Sequence, residues 1–268
     1  MSSIDSSFEP VVAHPQSSFS STRIPPPMRL PAGDGWALFL DLDGTLCDYR
    51  DDPADVALTP LLRSVLSLLA TRLNGAVCVL SGRSAADLDR ILGTLKLPRI
   101  AEHGGAGASL HDERYLAQLL EIEAALGTLS AGNPGTWVER KPSSCVLHYR
   151  HAPERAESLR SALLPLLPRY DRLRLLDGVY VFEFAARDRD KGTALFGQMQ
   201  LPPFAGRQPV VVGDDVTDED AFVSAIALGG FGIGVGTRTS LAAKFHLDDY
   251  AAVSAWLAGL AGGEHAAA

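Results

Sequence analysis

Two aspartates, Asp41 and Asp43, end a short apolar run two residues apart, a spacing that points both side chains to the same side of a strand. Ser81 and Arg83 end a second apolar run, and Asp214, Asp215 and Asp218 follow a third. Lys191 precedes Gly192 where a helix is expected to begin. Carboxylates drawn together from distant parts of a chain repel one another unless a cation sits among them. Mg2+ prefers hard oxygen ligands, one or two carboxylates completed by water and substrate phosphate, so a Mg2+ site is the economical reading. Lys191 could hold both a carboxylate nucleophile and a phosphoryl oxygen, and the amides of a helix N-terminus also favour an anion.

The segments that must position these residues alternate between strand and helix. Residues 36–42 read as a buried strand running into Gly44. Residues 60–73 carry apolar side chains at helical spacing, with Thr59 as N-cap ahead of Pro60. Residues 76–80 and 209–212 read as further strands, and 84–95 and 219–228 as the helices after them. Such alternation predicts a parallel sheet with helices on both faces, and ligands bind such sheets outside the carboxyl ends of the strands. From about residue 108 to 187 the pattern changes. An amphipathic stretch at 116–129, strand-like runs at 136–139 and 145–150, a helix at 153–167, and strands at 172–176 and 179–184 predict an inserted α+β domain.

The chain has 268 residues, 46% hydrophobic and 21% charged, enough apolar material for a core and a smaller partner domain. Its net charge of -8 argues against nucleic acid and anionic membranes as partners, since both demand basic surface. An anionic substrate must then be met by a local basic cluster or a metal. Cys47, Cys78 and Cys145 are too few and too scattered for a disulfide framework and lack zinc-finger spacing. No apolar run reaches the roughly 18 residues of a membrane span, and no secretory leader is evident. A cytoplasmic monomer is expected. Residues 1–30, rich in Ser and Pro and including Pro25, Pro26 and Pro27, read as a disordered tail, in which Asp5 and Glu9 count against a transit peptide.

DLDGT at 41–45, Ser81, Lys191 and GDDVTDED at 213–220 resemble, in order, the four motifs of the haloacid-dehalogenase-like phosphatases. The resemblance implies a HAD-like Rossmannoid core over 31–107 and 188–268 and a cap of the larger, C2-type class over 108–187. Asp41 would be the nucleophile that becomes an aspartyl phosphate, and Asp43 the general acid and base. Ser81 and Lys191 would contact the phosphoryl group. Mg2+ would be held by the Asp41 carboxylate, the Asp43 main-chain carbonyl and Asp214, with Asp218 supporting the site from behind. SGR at 81–83, EHG at 102–104, VERKPSSCVLHYR at 138–150, VFE at 181–183 and the continuation to Phe222 look like the trehalose-6-phosphate phosphatase family. That resemblance implies sugar contacts from Glu139, Lys141 and Glu183, with Arg83 and His103 near the junction of core and cap, and His148 and Arg150 in the cap. Cap closure would bend the chain near 105–108 and 186–190.

Other readings stay open at this stage. Ser81 could cap a helix, Glu139 and Lys141 could form a surface pair, and His103, His148 and Arg150 could be structural. Asp215 and Asp220 could be surface charge. The substrate could be another sugar phosphate such as sucrose 6-phosphate, the enzyme could be a phosphomutase, or the chain could be a noncatalytic sugar-phosphate sensor.

Overall fold

A computed structural model of the chain describes residues 24–27, 35–50, 52–105, 112–238 and 240–262. The tail expected over 1–30 lies outside the described residues except at 24–27. There the carbonyl of Ile24 accepts a bond from the His246 amide and that of Pro27 from the Trp256 indole, both at 2.9 Å. Proline lacks an N–H but keeps its carbonyl, so a Pro-rich strip can dock by accepting. The expected bend at 105–108 also lies outside the described residues, apart from Gly105.

The chain begins its first layer with β1 (Trp36–Leu40), α1 (Pro60–Arg72), β2 (Val77–Leu80), α2 (Ala85–Leu92) and the two-residue β3 (Arg99–Ile100). It then forms α3 (Glu113–Ala131), β4 (Trp137–Arg140), β5 (Ser144–His148), α4 (Ala156–Leu163), β6 (Leu173–Gly178) and β7 (Val181–Ala186). It returns through α5 (Lys191–Gln198), β8 (Gln208–Gly213), α6 (Asp218–Ala227), β9 (Phe231–Val235), β10 (Ala243–Leu247) and α7 (Tyr250–Gly262). Six strands make a parallel sheet in the order β10-β9-β8-β1-β2-β3, and four make an antiparallel sheet in the order β4-β5-β7-β6. The strands and helices expected from the pattern are present, with ends shifted by a few residues. β3, β9, β10 and α7 lie beyond them.

Each central strand of the parallel sheet is buried on both faces, so it reads as an unbroken apolar run. Leu38 and Leu40 of β1 face a core shared with α1, α2 and α7, whereas Ala37 and Phe39 face one shared with α5 and α6. A side chain such as Phe39, fully buried, contributes about 1.5–3 kcal/mol of transfer free energy. Local signals start the helices as the sequence predicts. Thr59 Oγ1 accepts the Leu62 amide at 3.2 Å, with Pro60 opening α1. Ser84 Oγ accepts the Asp87 amide at 3.2 Å and caps α2, so Ser81 is not its cap. At α5, Asp190 and Thr193 form a reciprocal capping box.

The antiparallel sheet is covered on one face and open on the other. Its period of two sends Cys145, Leu147, Phe182, Phe184 and Leu173 into a core with Tyr115, Leu119 and Ile122 of α3 and Leu159 and Leu163 of α4. The opposite parity places Glu139, Val146, Glu183 and Leu176 in one row across the four strands. Glu139, Leu176 and Glu183 of that row line a cavity shared with Asp41 and Ser81 at the carboxyl ends of the parallel strands.

Gly192 lets α5 approach α6, because a Cβ there would collide with the Asp220 carbonyl and lie 2.7 Å from Ser224 Oγ. Gly197, on the same helix, has open space around it. Gly192→Ala should therefore cost about 1–3 kcal/mol through overpacking, while Gly197→Ala should gain up to about 1 kcal/mol from helix propensity. Urea unfolding of the two variants checks this; equal effects would contradict the close-approach account.

Candidate active site

β1 sits between β8 and β2, so the loops that leave these three strands meet above one spot. The Asp41 amide donates to the Val212 carbonyl at 2.9 Å, which ties the end of β1 to the end of β8. Gly44 makes the turn after Asp43 with φ of 81°, and a Cβ there would strike the Asp214 carboxylate. Glycine alone fits that position. Lys191, at the first position of α5, reaches the same spot from the side: its Nζ donates to Asp41 Oδ1 at 2.6 Å and to Asp218 Oδ1 at 2.7 Å. Only 2% of Lys191 and 6% of Asp41 is exposed.

Asp41, Asp214 and Asp218 each bring a carboxylate oxygen to within 4.8 Å of the others. The oxygens of Asp218 are taken up by Lys191 and, at 3.0 Å, by the Asp215 amide. Asp214 differs. Its Oδ2 accepts the Tyr49 hydroxyl at 2.8 Å, while its Oδ1 is buried without a hydrogen-bond partner. Fully ionised, three carboxylates against one ammonium would leave two negative charges, and the buried Asp214 Oδ1 has no partner to offset its own. A divalent cation such as Mg2+ fits that donor set.

The protonation of the cluster follows from burial and charge. Burial pushes the Asp41 carboxyl well above its ordinary range, with Asp218 and Asp214 adding to the push and Lys191 opposing it. Burial alone would lower Lys191, but Asp218 and Asp41 outweigh it and hold the ammonium protonated. Asp214 is raised from 3.8 to about 7, chiefly by burial and then by Asp218.

Asp43 lies beside the cluster but is held differently. Arg83 grips its carboxylate with two parallel bonds, Nε to Oδ2 at 2.7 Å and Nη2 to Oδ1 at 2.8 Å, and anchors itself on Asp87 and the Pro53 carbonyl, each at 2.9 Å. The guanidinium, expected near the junction of core and cap, lines the cavity and engages the core's own carboxylates. Ser81 is 1% exposed, lines the cavity between the sheets, and accepts the Arg83 amide at 3.2 Å.

The cap residues line the far wall of that cavity. Lys141 Nζ lies 3.4 Å from both oxygens of Glu183 and donates to the Gly82 carbonyl of the core at 2.9 Å. Glu183 also accepts the Ser144 hydroxyl at 2.5 Å and lies 3.6 Å from His103 Nε2. Burial alone would raise the Glu183 carboxyl, but Lys141, His103 and Ser144 together carry it below its usual range. Glu139 pairs with His148 at 2.7 Å, and that hydrogen bond lowers its carboxyl. Glu139 and Lys141 therefore take separate partners and do not pair with each other. Arg150 stands at the rim, donating to the Arg50 carbonyl at 2.6 Å, with its guanidinium 5.5 Å above the Tyr180 ring. Asp215 pairs with Arg238, and Asp220 lies 3.4 Å from Arg174 of the cap.

All of the sequence-predicted residues except Asp214 and Asp218 line the cavity; those two lie beneath it beside Asp41. Sequence reasoning passed over Tyr49, Asp87 and Ser144, and it left Glu102 without a role. Glu102 accepts the Ser143 amide at 2.7 Å and the Ser143 hydroxyl, pinning the core's last loop to the cap. Ser143, Ser144 and Glu102 lay within stretches with recognisable patterns. Tyr49 had no such signal.

The trehalose-phosphatase family model matches residues 39–250. The trehalose-6-phosphate phosphatase of Escherichia coli (strain K12) is 33% identical over 227 residues, covering 83% of this chain and 85% of that protein. A probable trehalose-phosphate phosphatase of Sinorhizobium fredii is 34% identical over 208 residues, covering 76% and 78%. Among solved structures, the C-terminal domain of C. albicans trehalose-6-phosphate phosphatase superimposes with a TM-score of 0.76 at 22% identity, over 85% of this chain and 93% of that one. A haloacid dehalogenase-like hydrolase from Bacteroides thetaiotaomicron superimposes with a TM-score of 0.60 at 13% identity, over 84% and 98%. The parallel sheet with its acidic strand ends, the inserted antiparallel sheet and the span of the match agree: the chain belongs to the trehalose-phosphatase family.

Proposed function

We propose that this chain hydrolyses trehalose 6-phosphate to trehalose and inorganic phosphate, with Asp41 as nucleophile and Mg2+ as cofactor. The observation that carries the reading is the buried Asp41–Lys191–Asp218 group facing a cap sheet whose open face presents Glu139, Lys141 and Glu183. The names of the relatives supply the substrate. In this reading residues 31–107 and 188–268 form the catalytic core and 108–187 the cap. The enzyme works in the cytoplasm, a placement supported by three buried free cysteines. Among the described residues no helix is long and apolar enough to cross a membrane.

The steps follow from what each side chain can do. An Asp41 carboxylate oxygen attacks phosphorus while the bond from phosphorus to the sugar oxygen breaks, and Asp43 delivers a proton to the departing sugar. Water then attacks the phosphorus of the aspartyl phosphate, Asp43 takes its proton, and inorganic phosphate leaves with Asp41 restored. Lys191 stays charged throughout and binds a phosphoryl oxygen alongside Asp41, while Ser81 contributes a hydroxyl. Arg83 engages both Asp43 oxygens and holds the side chain beside Asp41, so one of the two bonds must open for Asp43 to carry the proton. Bound between Asp41, the Asp43 carbonyl and Asp214, Mg2+ would offset phosphoryl charge as it shifts during transfer. Glu139, Lys141 and Glu183 bind sugar hydroxyls by charge-assisted hydrogen bonds, and the closed cap keeps bulk water away.

Phosphate release from trehalose 6-phosphate, sucrose 6-phosphate and glucose 6-phosphate tests the reading, each assayed with Mg2+ and with EDTA. Metal-dependent preference for trehalose 6-phosphate is expected, and Glu183→Gln should lower kcat/KM for it by about 10- to 100-fold, the effect of losing a charged hydrogen bond. Equal rates on all three sugars would overturn the cap assignment, and binding without release would leave a sensor.

Asp214 supplies a pH dependence. Its folded value of about 7 exceeds its ordinary 3.8, so the metal-free folded protein holds this proton more tightly than the unfolded chain does. Its contribution to stability therefore falls as pH rises from about 4 to about 7. A cation takes the proton's place. The rise in Tm on adding Mg2+ should be small near pH 5.5 and grow through pH 7; an equal rise at both pH values would contradict this.

A further inference from the structure

Tyr49 lies in the loop after β1, outside every motif that the sequence offers, yet its hydroxyl reaches a carboxylate 165 positions away. It donates to Asp214 Oδ2 at 2.8 Å and lines the cavity. Its ring packs close to Gly44, where a Cβ would lie 2.8 Å from Cε2. The loop that carries it is fixed at both ends. The Gly44 amide donates to the Cys47 carbonyl at 2.7 Å, and the Arg50 carbonyl accepts Arg150 of the cap at 2.6 Å. A carboxylate has two oxygens and a free torsion, and a single strong donor on one oxygen decides where the other points. In Asp214 the other oxygen, Oδ1, is buried and has no partner.

We propose that Tyr49 is a positioning residue for the divalent cation: by tying Oδ2 of Asp214 it presents Oδ1 to the ion beside Asp41. This rests on the metal-dependent reading above and adds a residue to it. A donor placed behind a metal ligand fixes the ligand's direction, and its removal commonly weakens metal binding by about 10- to 100-fold. Tyr49→Phe keeps the ring and its packing and removes only the hydroxyl.

The test is calorimetric titration of Mg2+, and of Mn2+ in parallel, into the full-length chain and into its Tyr49→Phe variant. Thermal melts of both metal-free proteins show whether each is folded. The variant should melt cooperatively, bind each ion about 10- to 100-fold more weakly, and recover most of its kcat when Mg2+ is raised by the same factor. If wild type and variant bind the ions equally, Tyr49 has no such role while the metal-dependent reading stands. If the variant's kcat stays low at saturating Mg2+ with its metal affinity unchanged, Tyr49 acts on something other than the ion. If the wild type binds neither ion, the metal-dependent reading fails and this inference falls with it.

Discussion

The ammonium of Lys191 is wedged between two carboxylates, 2.6 Å from Asp41 and 2.7 Å from Asp218, in a place almost closed to water. A buried charge of this kind survives only with partners at good geometry, because desolvation alone would cost several kcal/mol per ion. Much of the core can be understood as the means of meeting that demand. β1 must lie between β8 and β2 so that Asp41 emerges beside Asp214 and Ser81. α5 must come close enough to α6 for Lys191 to touch Asp218, the first residue of that helix, and Gly192 permits this. The same arrangement gathers three carboxylates around one ammonium, a donor set that suits a divalent cation. A protein of net charge -8 thereby concentrates its attraction for an anion at one point.

The cap solves a different problem with the simplest property of a strand. Alternation puts one set of side chains into its own core and the other set toward the cavity, so polar groups such as Glu139 and Glu183 line it while Cys145 and Phe184 hold the sheet to α3 and α4. A disaccharide presents hydroxyls in many directions, and charged donors and acceptors on a rigid sheet meet them at low entropic cost. The bonds from Lys141 to the Gly82 carbonyl, from Arg150 to the Arg50 carbonyl and from Ser143 to Glu102 join cap to core around this cavity. These bonds fix the cap's open face over the strand ends that carry Asp41 and Ser81.

The polar strand ends were easy to read because Asp, Ser and Gly interrupt apolar runs abruptly, and helix starts were legible from Thr59 with Pro60. β9 was not, since Phe231–Val235 contains two glycines and lacks the β-branched run of its neighbours. Ser81 and Ser84 illustrate a limit of local signals. Both precede a helical stretch, and the hydrogen bond to Asp87 assigns the cap to Ser84. Arg83 was expected near the junction of core and cap and lines the cavity there, but its acceptors, Asp43 and Asp87, become its neighbours only through sheet order and helix geometry. Tyr49 was invisible for the same reason, since Asp214 comes next to it only when β8 pairs with β1.

The most direct test of the central claim, that Asp41 carries the phosphoryl group, is acid quenching during turnover of trehalose 6-phosphate labelled in its phosphate, followed by peptide mapping. The account predicts label on the peptide containing Asp41, and neither label nor turnover in freshly purified Asp41→Asn. Label on another residue, or sustained turnover by that variant, would contradict it.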